Sequence, residues 1–329
     1  MSNLRVNIYT SGDALPQELS SINYFHSPQL FKLCEHTPRL KPFMVTLSTP
    51  DGHICAQMLA VVRYRSSWFP PYYYKHCRIT GEGVYHSDDA PTHFGTMIQS
   101  LTERLGHRTL YVEVSHLGQK MFGYRQLRGL KFFPVRWMSI HNSLHSHTPE
   151  ERITPQMQRR IDAAYEHGVT TYEVKSEDDF KEFMRLLRHH NWLKPKRYIP
   201  DDEFFRHFWN KDDTSGSEGR LFVTRFRNHI IGCSAVVYSH RQSFLWFAAY
   251  RRKTYAWVHP RELTVWHAIK DSHQRGYEHI FFMDVGLPFR KNKFRDFILR
   301  FGGKPVSTYR WFRFSIKWLN SLLTWIYRK

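Results

Sequence analysis

The chain has 329 residues, 41% of them apolar, with 25 Phe, 18 Tyr and 10 Trp. That composition excludes a disordered or low-complexity polypeptide and leaves room for two domains. The 48 Lys and Arg against 29 Asp and Glu give a net charge of +19, which attracts anionic partners: RNA, a nucleotide-bearing donor or an acidic membrane face.

Cys34, Cys55, Cys77 and Cys233 are scattered and form no C-x-x-C pair, which argues against a zinc or dithiol centre and for reduced thiols. The pairs His189/His190 and His145/His147 lack a third ligand at useful spacing, so they read as surface or loop residues and no metal is expected. The N-terminal stretch has no signal-peptide core, and no uncharged run reaches the roughly 20 residues of a membrane-spanning helix. The expected location is the cytoplasm, and the expected state a monomer.

Along the chain, residues 42–65 alternate apolar and polar around Pro50-Asp51-Gly52, which predicts a β-hairpin. A further strand is predicted over 72–85, interrupted by Gly81 and Gly83. Phe94, Met97, Ile98, Leu101 and Leu105 fall at helical spacing within 91–105, and Gly106 supplies the stop. An apolar strand at 110–114 carries Glu113. A short helix at 123–129 and a strand at 130–140 complete the series. A basic helix is predicted over 155–167, ending at Gly168. Then come a strand at 171–174 and helices at about 177–192 and 201–210.

The hairpin pattern returns at 220–239, followed by an apolar strand at 244–250. A helix at 260–275 opens on Pro260 and stops at Gly276. A strand at 280–285, a short helix at 294–302 and a strand at 304–314 follow. The same order twice predicts a duplicated α/β (α+β) fold. The expected division is 1–150 for one domain, 151–169 for a connecting basic helix, 170–314 for the second domain and 315–329 for an amphipathic tail.

This order resembles two tandem GNAT-like acyltransferase domains, each a mixed, mostly antiparallel sheet flanked by helices, as in FemAB-type peptidyltransferases and related tandem acetyltransferases. Four segments carry the resemblance: His259 to Lys270 before the fifth strand, Phe282-Met283-Asp284-Val285-Gly286 at that strand's end, Phe297 to Gly302, and Arg159-Arg160-Ile161 with Ala164 and Gly168 in the connecting helix. Two departures accompany it. Ile298 replaces the lysine of the family's F-K-x-x-F-G segment. Tyr250-Arg251-Arg252-Lys253-Thr254-Tyr255 stands where acetyl-CoA enzymes carry a glycine-rich pyrophosphate loop.

The resemblance implies transfer of an acetyl or aminoacyl group from acyl-CoA or aminoacyl-tRNA to the amine of a cell-envelope precursor, an amino sugar or a lipid. It also implies that the donor enters a gap between the fourth and fifth strands, here 243–250 and 279–285. Arg251, Arg252 and Lys253 precede a helix N-terminus, where phosphates bind well, and Arg290, Lys291 and Lys293 extend the basic rim. Asp284, near the end of an apolar strand, is placed to orient or deprotonate the amine; the structural alternative is a turn cap. Tyr250 is placed either to protonate the leaving group or to pack at the strand end, and Glu113 to face an acceptor groove between the halves. Trp68 to Lys75 reads either as a stacking surface or as a packed aromatic loop. In 311–329, apolar residues at helical spacing flanked by Arg313, Lys317, Arg328 and Lys329 suit either peripheral membrane contact or docking on the core. The competing reading is a catalytically silent GNAT-like module that binds RNA or an anionic membrane surface.

Overall fold

The computed structural model describes residues 4–67, 71–191, 198–209, 218–251, 253–283, 285–289 and 291–327. In chain order the first half forms β1 (Arg5–Tyr9), α1 (Pro28–His36), β2 (Leu40–Ser48), β3 (Ile54–Ser67), β4 (Tyr72–Thr80), β5 (Val84–Tyr85), α2 (Ala90–Leu105), β6 (Tyr111–Ser115), α3 (Tyr124–Gly129) and β7 (Phe133–Ser143). Two short helices, α4 (Pro149–Arg152) and α5 (Pro155–Glu166), connect the halves. The second half forms β8 (Val169–Glu173), α6 (Glu177–Asn191), α7 (Asp202–Arg206), β9 (Gly219–Phe226), β10 (His229–Ser239), β11 (Gln242–Tyr250), α8 (Pro260–Gln274), β12 (His279–Phe282), α9 (Lys293–Ile298), β13 (Lys304–Phe314) and α10 (Lys317–Ile326).

The local signals act as expected where chemistry is local. Asp51-Gly52 turns β2 into β3, with Gly52 at φ 92°. Pro260 occupies the first turn of α8, where a missing amide proton costs nothing. Gly106 and Gly276 follow α2 and α8 with φ of 50° and 76°, a region closed to most side chains. The sequence reading passed over β1 and α1, although Ser27 caps α1 by accepting from the Leu30 amide at 3.1 Å. The expected strand over 72–85 breaks in two, because Gly81 and Gly83 take positive φ between β4 and β5.

Two compact units result. One comprises Met1–Trp137 with Ser307–Lys329, the other Met138–Val306. Their sheets repeat one plan. In the first unit β1, β2, β3 and β4 pair antiparallel in that order, β6 joins β4 in parallel, and β13 closes antiparallel on β6. In the second, β8, β9, β10 and β11 are antiparallel neighbours, β12 joins β11 in parallel, and β7 closes antiparallel on β12.

The closing strands are therefore exchanged. The strand that ends the first half completes the second unit, and the strand that ends the second half completes the first. This moves the division away from the expected 1–150 and 170–314. The pairs that fix it are His279↔Ser143 through Phe282↔Ile140, and Trp311↔Val114 through Phe314↔Tyr111.

Each unit has its own core. In the first, Met58, Ile79, Phe94, Ile98 and Val114 pack with Trp311, which is fully buried although it comes from near the C-terminus. In the second, Ile161 and Met157 of α5 pack with Leu263, Trp266 and Ile269 of α8 and with Phe282. Each fully buried large apolar side chain contributes roughly 1.5–3 kcal/mol. The helices expected over 155–167 and 260–275 thus pack on each other through these apolar side chains.

Candidate active site

In the second unit the parallel pair β11–β12 runs in register from Gln242↔His279 to Leu245↔Phe282 and then stops. β11 continues to Tyr250, paired with β10 up to Gly232↔Tyr250. Beyond β12 the chain turns to β7 instead, where the Met138 amide donates to the Gly286 carbonyl at 3.4 Å. Among the described residues, the pairing of these neighbouring strands thus ends at Leu245 and Phe282.

A bulge marks the point of parting. Val236 opposes Leu245 but Ala235 opposes Phe247, so Trp246 is the extra residue. It reverses the alternation of β11: Leu245 and Ala248, an odd step apart, both pack on the α8 core. The Arg251 amide donates to Ile231 across β10 at 2.8 Å. Antiparallel alternation then turns the N–H and C=O groups of Tyr250 and Ala248 to the other edge of β11, where β12 has ended. The strands expected to frame the donor gap, within 243–250 and 279–285, are the two whose pairing ends here.

The equivalent strands of the first unit stay closed. β4 and β6 pair from His76↔Tyr111 to Thr80↔Ser115, and the ladder extends at both ends through Leu110 to Lys75 (2.7 Å) and Gly81 to Ser115 (2.8 Å). The pairing of β3 with β4 has no bulge. Glu113, expected to face an acceptor groove, is instead buried on this closed pair. Its carboxylate lies 3.5 Å from Arg78 Nε and 3.3 Å from Arg310 Nη1, and the Arg310 guanidinium stacks 4.0 Å over the Trp137 ring. A carboxylate held by two guanidinium groups is an ion-pair anchor, not an available base.

Around the parted edge, β11 delivers Tyr250, half-buried, and α6 delivers His190. His190 Nδ1 lies 3.0 Å from the Tyr250 carbonyl oxygen and 3.4 Å from its amide nitrogen, and the two rings are 4.8 Å apart. The shorter contact assigns the Nδ1 proton to the carbonyl, which makes Nε2 the basic nitrogen of the ring. His190 therefore belongs with this site and not with the surface residues among which its sequence context put it. Its partner is sixty positions away, and no local pattern announces it.

The cations divide by role. Arg251 is tied back, its Nε donating to the Ile230 carbonyl at 3.3 Å. Lys253, Lys291 and Lys293 are exposed. Arg261, in the first turn of α8, stacks on Phe297 at 3.5 Å and lies 5.7 Å from the Tyr250 ring centroid. It also donates to the Lys293 carbonyl at 3.0 Å, which ties the segment after β12 to the α8 N-terminus. Asn292 holds that segment: its side chain donates to Val285 O (2.8 Å) and caps α9 by accepting from Phe294 and Arg295. The α8 N-terminus has no side-chain cap from His259, so Lys253 on one side and Lys291 and Lys293 on the other flank an end with anion affinity. Ile298, which stands for the family's lysine, is fully buried and adds nothing to this rim. Asp284, Arg252 and Arg290 lie outside the described residues, as do Trp68, Phe69 and Pro70 of the aromatic segment. Among the described residues no cluster of three or more His, Cys, Asp or Glu could hold a metal ion.

Residues 154–291, the span from α5 through β12 that contains the parted strands, match the profile of the acetyltransferase (GNAT) domain family. The chain carries a GNAT acyltransferase domain. Among solved structures it is similar to FemX at 9% identity, over 93% of this chain and 94% of that one, with a TM-score of 0.62. It is also similar to L-PGS from Bacillus licheniformis at 11% identity, over 91% and 92%, with a TM-score of 0.57. A third likeness is to the C-terminal domain (DUF2156) of a putative lysylphosphatidylglycerol synthetase from Agrobacterium fabrum, at 8% identity over 80% and 85%, with a TM-score of 0.55. At these identities the likeness is one of fold. No curated protein sequence matches the chain significantly.

Proposed function

We propose that the second unit carries out acyl transfer at the parted edge of β11, from a phosphate-bearing donor to an amine. The observation that carries this reading is the end of β11–β12 pairing at Leu245 and Phe282, set against the unbroken ladder of β4 and β6. A catalytically silent module would have no use for an opening in one unit only.

The donor is an acyl-CoA or an aminoacyl-tRNA, whose phosphates meet Lys253, Lys291, Lys293 and the α8 N-terminus. Its activated carbonyl lies along β11, with the Ala248 amide donating to the oxygen. The amine lone pair attacks the carbonyl carbon and the oxyanion of the tetrahedral species gathers on that amide. The proton lost by the amine passes to His190 Nε2 or to Asp284. As the carbon–sulfur or carbon–oxygen ester bond breaks, the Tyr250 hydroxyl protonates the departing thiolate or alkoxide. The acceptor is the amine of an envelope precursor, an amino sugar or a lipid. FemX and the lysylphosphatidylglycerol synthetase neighbours have the same fold, which supports an acceptor of this kind.

The test is the thermal midpoint with acetyl-CoA, with aminoacyl-tRNA and with a polyphosphate control. A rise specific to one donor supports the reading and names the donor. An equal rise with every polyanion supports the silent module. Asp284→Asn and Tyr250→Phe are expected to lower turnover and leave the fold intact.

A further inference from the structure

The C-terminal helix α10 presents an apolar face to solvent. Trp318 and Trp325 are each 70% exposed, Ile326 53% and Leu322 45%. Positions 318, 322, 325 and 326 share one side of a helix. The opposite side is anchored to the first unit. Asn320, buried, accepts from the Phe314 amide at 2.8 Å and donates to the Lys131 carbonyl at 3.0 Å, and Tyr327 stacks on Phe133 at 5.4 Å. Leu319 and Leu323 are half-buried. The helix is thus docked on the protein with its tryptophans turned outward.

The stretch of chain that ends in this helix is basic. Residues 297–329 contain Arg300, Lys304, Arg310, Arg313, Lys317, Arg328 and Lys329 and no acidic residue. Lys131, exposed, is held at the helix by its own carbonyl, and Ser315, bonded to Thr109 and Leu110, brings exposed Arg108 to the start of α10. Glu103 offsets Arg313. Indole rings beside lysine and arginine suit the headgroup layer of an anionic bilayer, where the rings enter the acyl boundary and the cations meet lipid phosphate.

A second copy of the chain fits the face less well. Ten residues of helix span about 15 Å, a short seam against the roughly 1,000 Å² a stable interface needs. A two-fold pair would also set Lys317 and its basic neighbours against themselves. No described helix is long and apolar enough to cross a membrane.

We infer that α10 is a peripheral docking element for an anionic membrane surface, with Trp318, Leu322, Trp325 and Ile326 entering the interface and Lys317, Lys131 and Arg108 meeting lipid phosphate. This stands whether or not the donor binds as proposed above. It would bring the chain to a surface where a lipid-borne amine is concentrated.

The test is co-sedimentation of the full chain with vesicles of phosphatidylglycerol and phosphatidylcholine (1:3) and with phosphatidylcholine alone, at low and high salt. Wild type is expected to bind the anionic vesicles at least tenfold more tightly, and salt to weaken that binding. The double variant Trp318→Ser/Trp325→Ser is expected to lose at least tenfold, with an unchanged thermal midpoint because both rings are exposed. Lys317→Glu is expected to lose affinity for anionic vesicles only. Absent binding by wild type, or undiminished binding by the double variant, overturns the inference. So does a dimer in light scattering that the double variant dissolves, since a second copy would then cover the face. Donor-specific thermal protection in the same preparations reports separately on the catalytic reading.

Discussion

Acid should destabilise the first unit through His26. This imidazole is fully buried, and its Nδ1 accepts the Leu59 amide proton at 3.0 Å. Around it Gln57 is locked in place: its Nε2 donates to the carbonyls of His26 and Ser20, each at 2.8 Å, and its Oε1 accepts from Ser20 at 2.8 Å. Protonation would turn the acceptor into a donor facing an N–H group and place a charge in a fully buried site. Burial accordingly lowers the pKa of His26 from 6.5 to about 3. The folded state disfavours the proton relative to the unfolded chain, so the contribution is fully present above pH 6.5 and is lost as pH falls from there toward 3. At about 1.4 kcal/mol per unit, the loss is about 2 kcal/mol at pH 5 and about 5 kcal/mol at full protonation. With a urea dependence of roughly 2 kcal/mol per M, His26 alone lowers the midpoint by about 1 M between pH 7 and pH 5. Urea unfolding of wild type and His26→Gln at both pH values is the assay, since glutamine keeps an acceptor for Leu59 and does not titrate. The variant is expected to lose about 1 M less than wild type over this interval. An equal loss in both would refute the reasoning. His76, lowered to about 4 by burial and then by Arg63, adds a decline of the same sign in either protein.

Other outcomes follow from the same contacts. Glu113→Gln removes the carboxylate charge that Arg78 and Arg310 share and is expected to cost roughly 3–5 kcal/mol in urea unfolding; a cost under about 1 kcal/mol would show that the cluster is dispensable. Gly232→Ala places a Cβ 2.0 Å from Thr264 Oγ1 and 3.1 Å from Thr224 Cβ, within a hydroxyl chain that links Thr171, Thr224 and Thr264. It is expected to cost roughly 1–3 kcal/mol, read by the thermal midpoint. His190→Gln is expected to reduce kcat at least tenfold, with little change in donor KM. An unaltered kcat removes His190 from the proton path.

What could be read from the sequence was what neighbouring residues decide. The Asp51-Gly52 turn, the helix opened by Pro260 and stopped by Gly276, and the strand over 304–314 all rest on local preferences. The exchange of β7 and β13 rests on which strand accepts their hydrogen bonds, and that leaves no mark on their own sequences. Each simply follows its own half. The bulge at Trp246 was hidden because Phe244 to Tyr250 is apolar throughout, so a reversed alternation changes no pattern. His190 looked like one of a pair of surface histidines because Tyr250 is remote in sequence. Glu113 was seen as a carboxylate in an apolar strand, which was correct, but Arg78 and Arg310 reach it from two other strands. β1 did carry a readable alternation in Arg5-Val6-Asn7-Ile8-Tyr9, but it is short and lies at the edge of its sheet.

Amide hydrogen exchange with and without bound donor tests the central claim most directly. If the activated carbonyl lies along the parted edge of β11, then acetyl-CoA or aminoacyl-tRNA, whichever binds, slows exchange at Ala248 and Tyr250 and leaves the β4–β6 ladder unchanged. Saturating donor that leaves Ala248 and Tyr250 unprotected, or that protects the first unit in their place, would contradict the account.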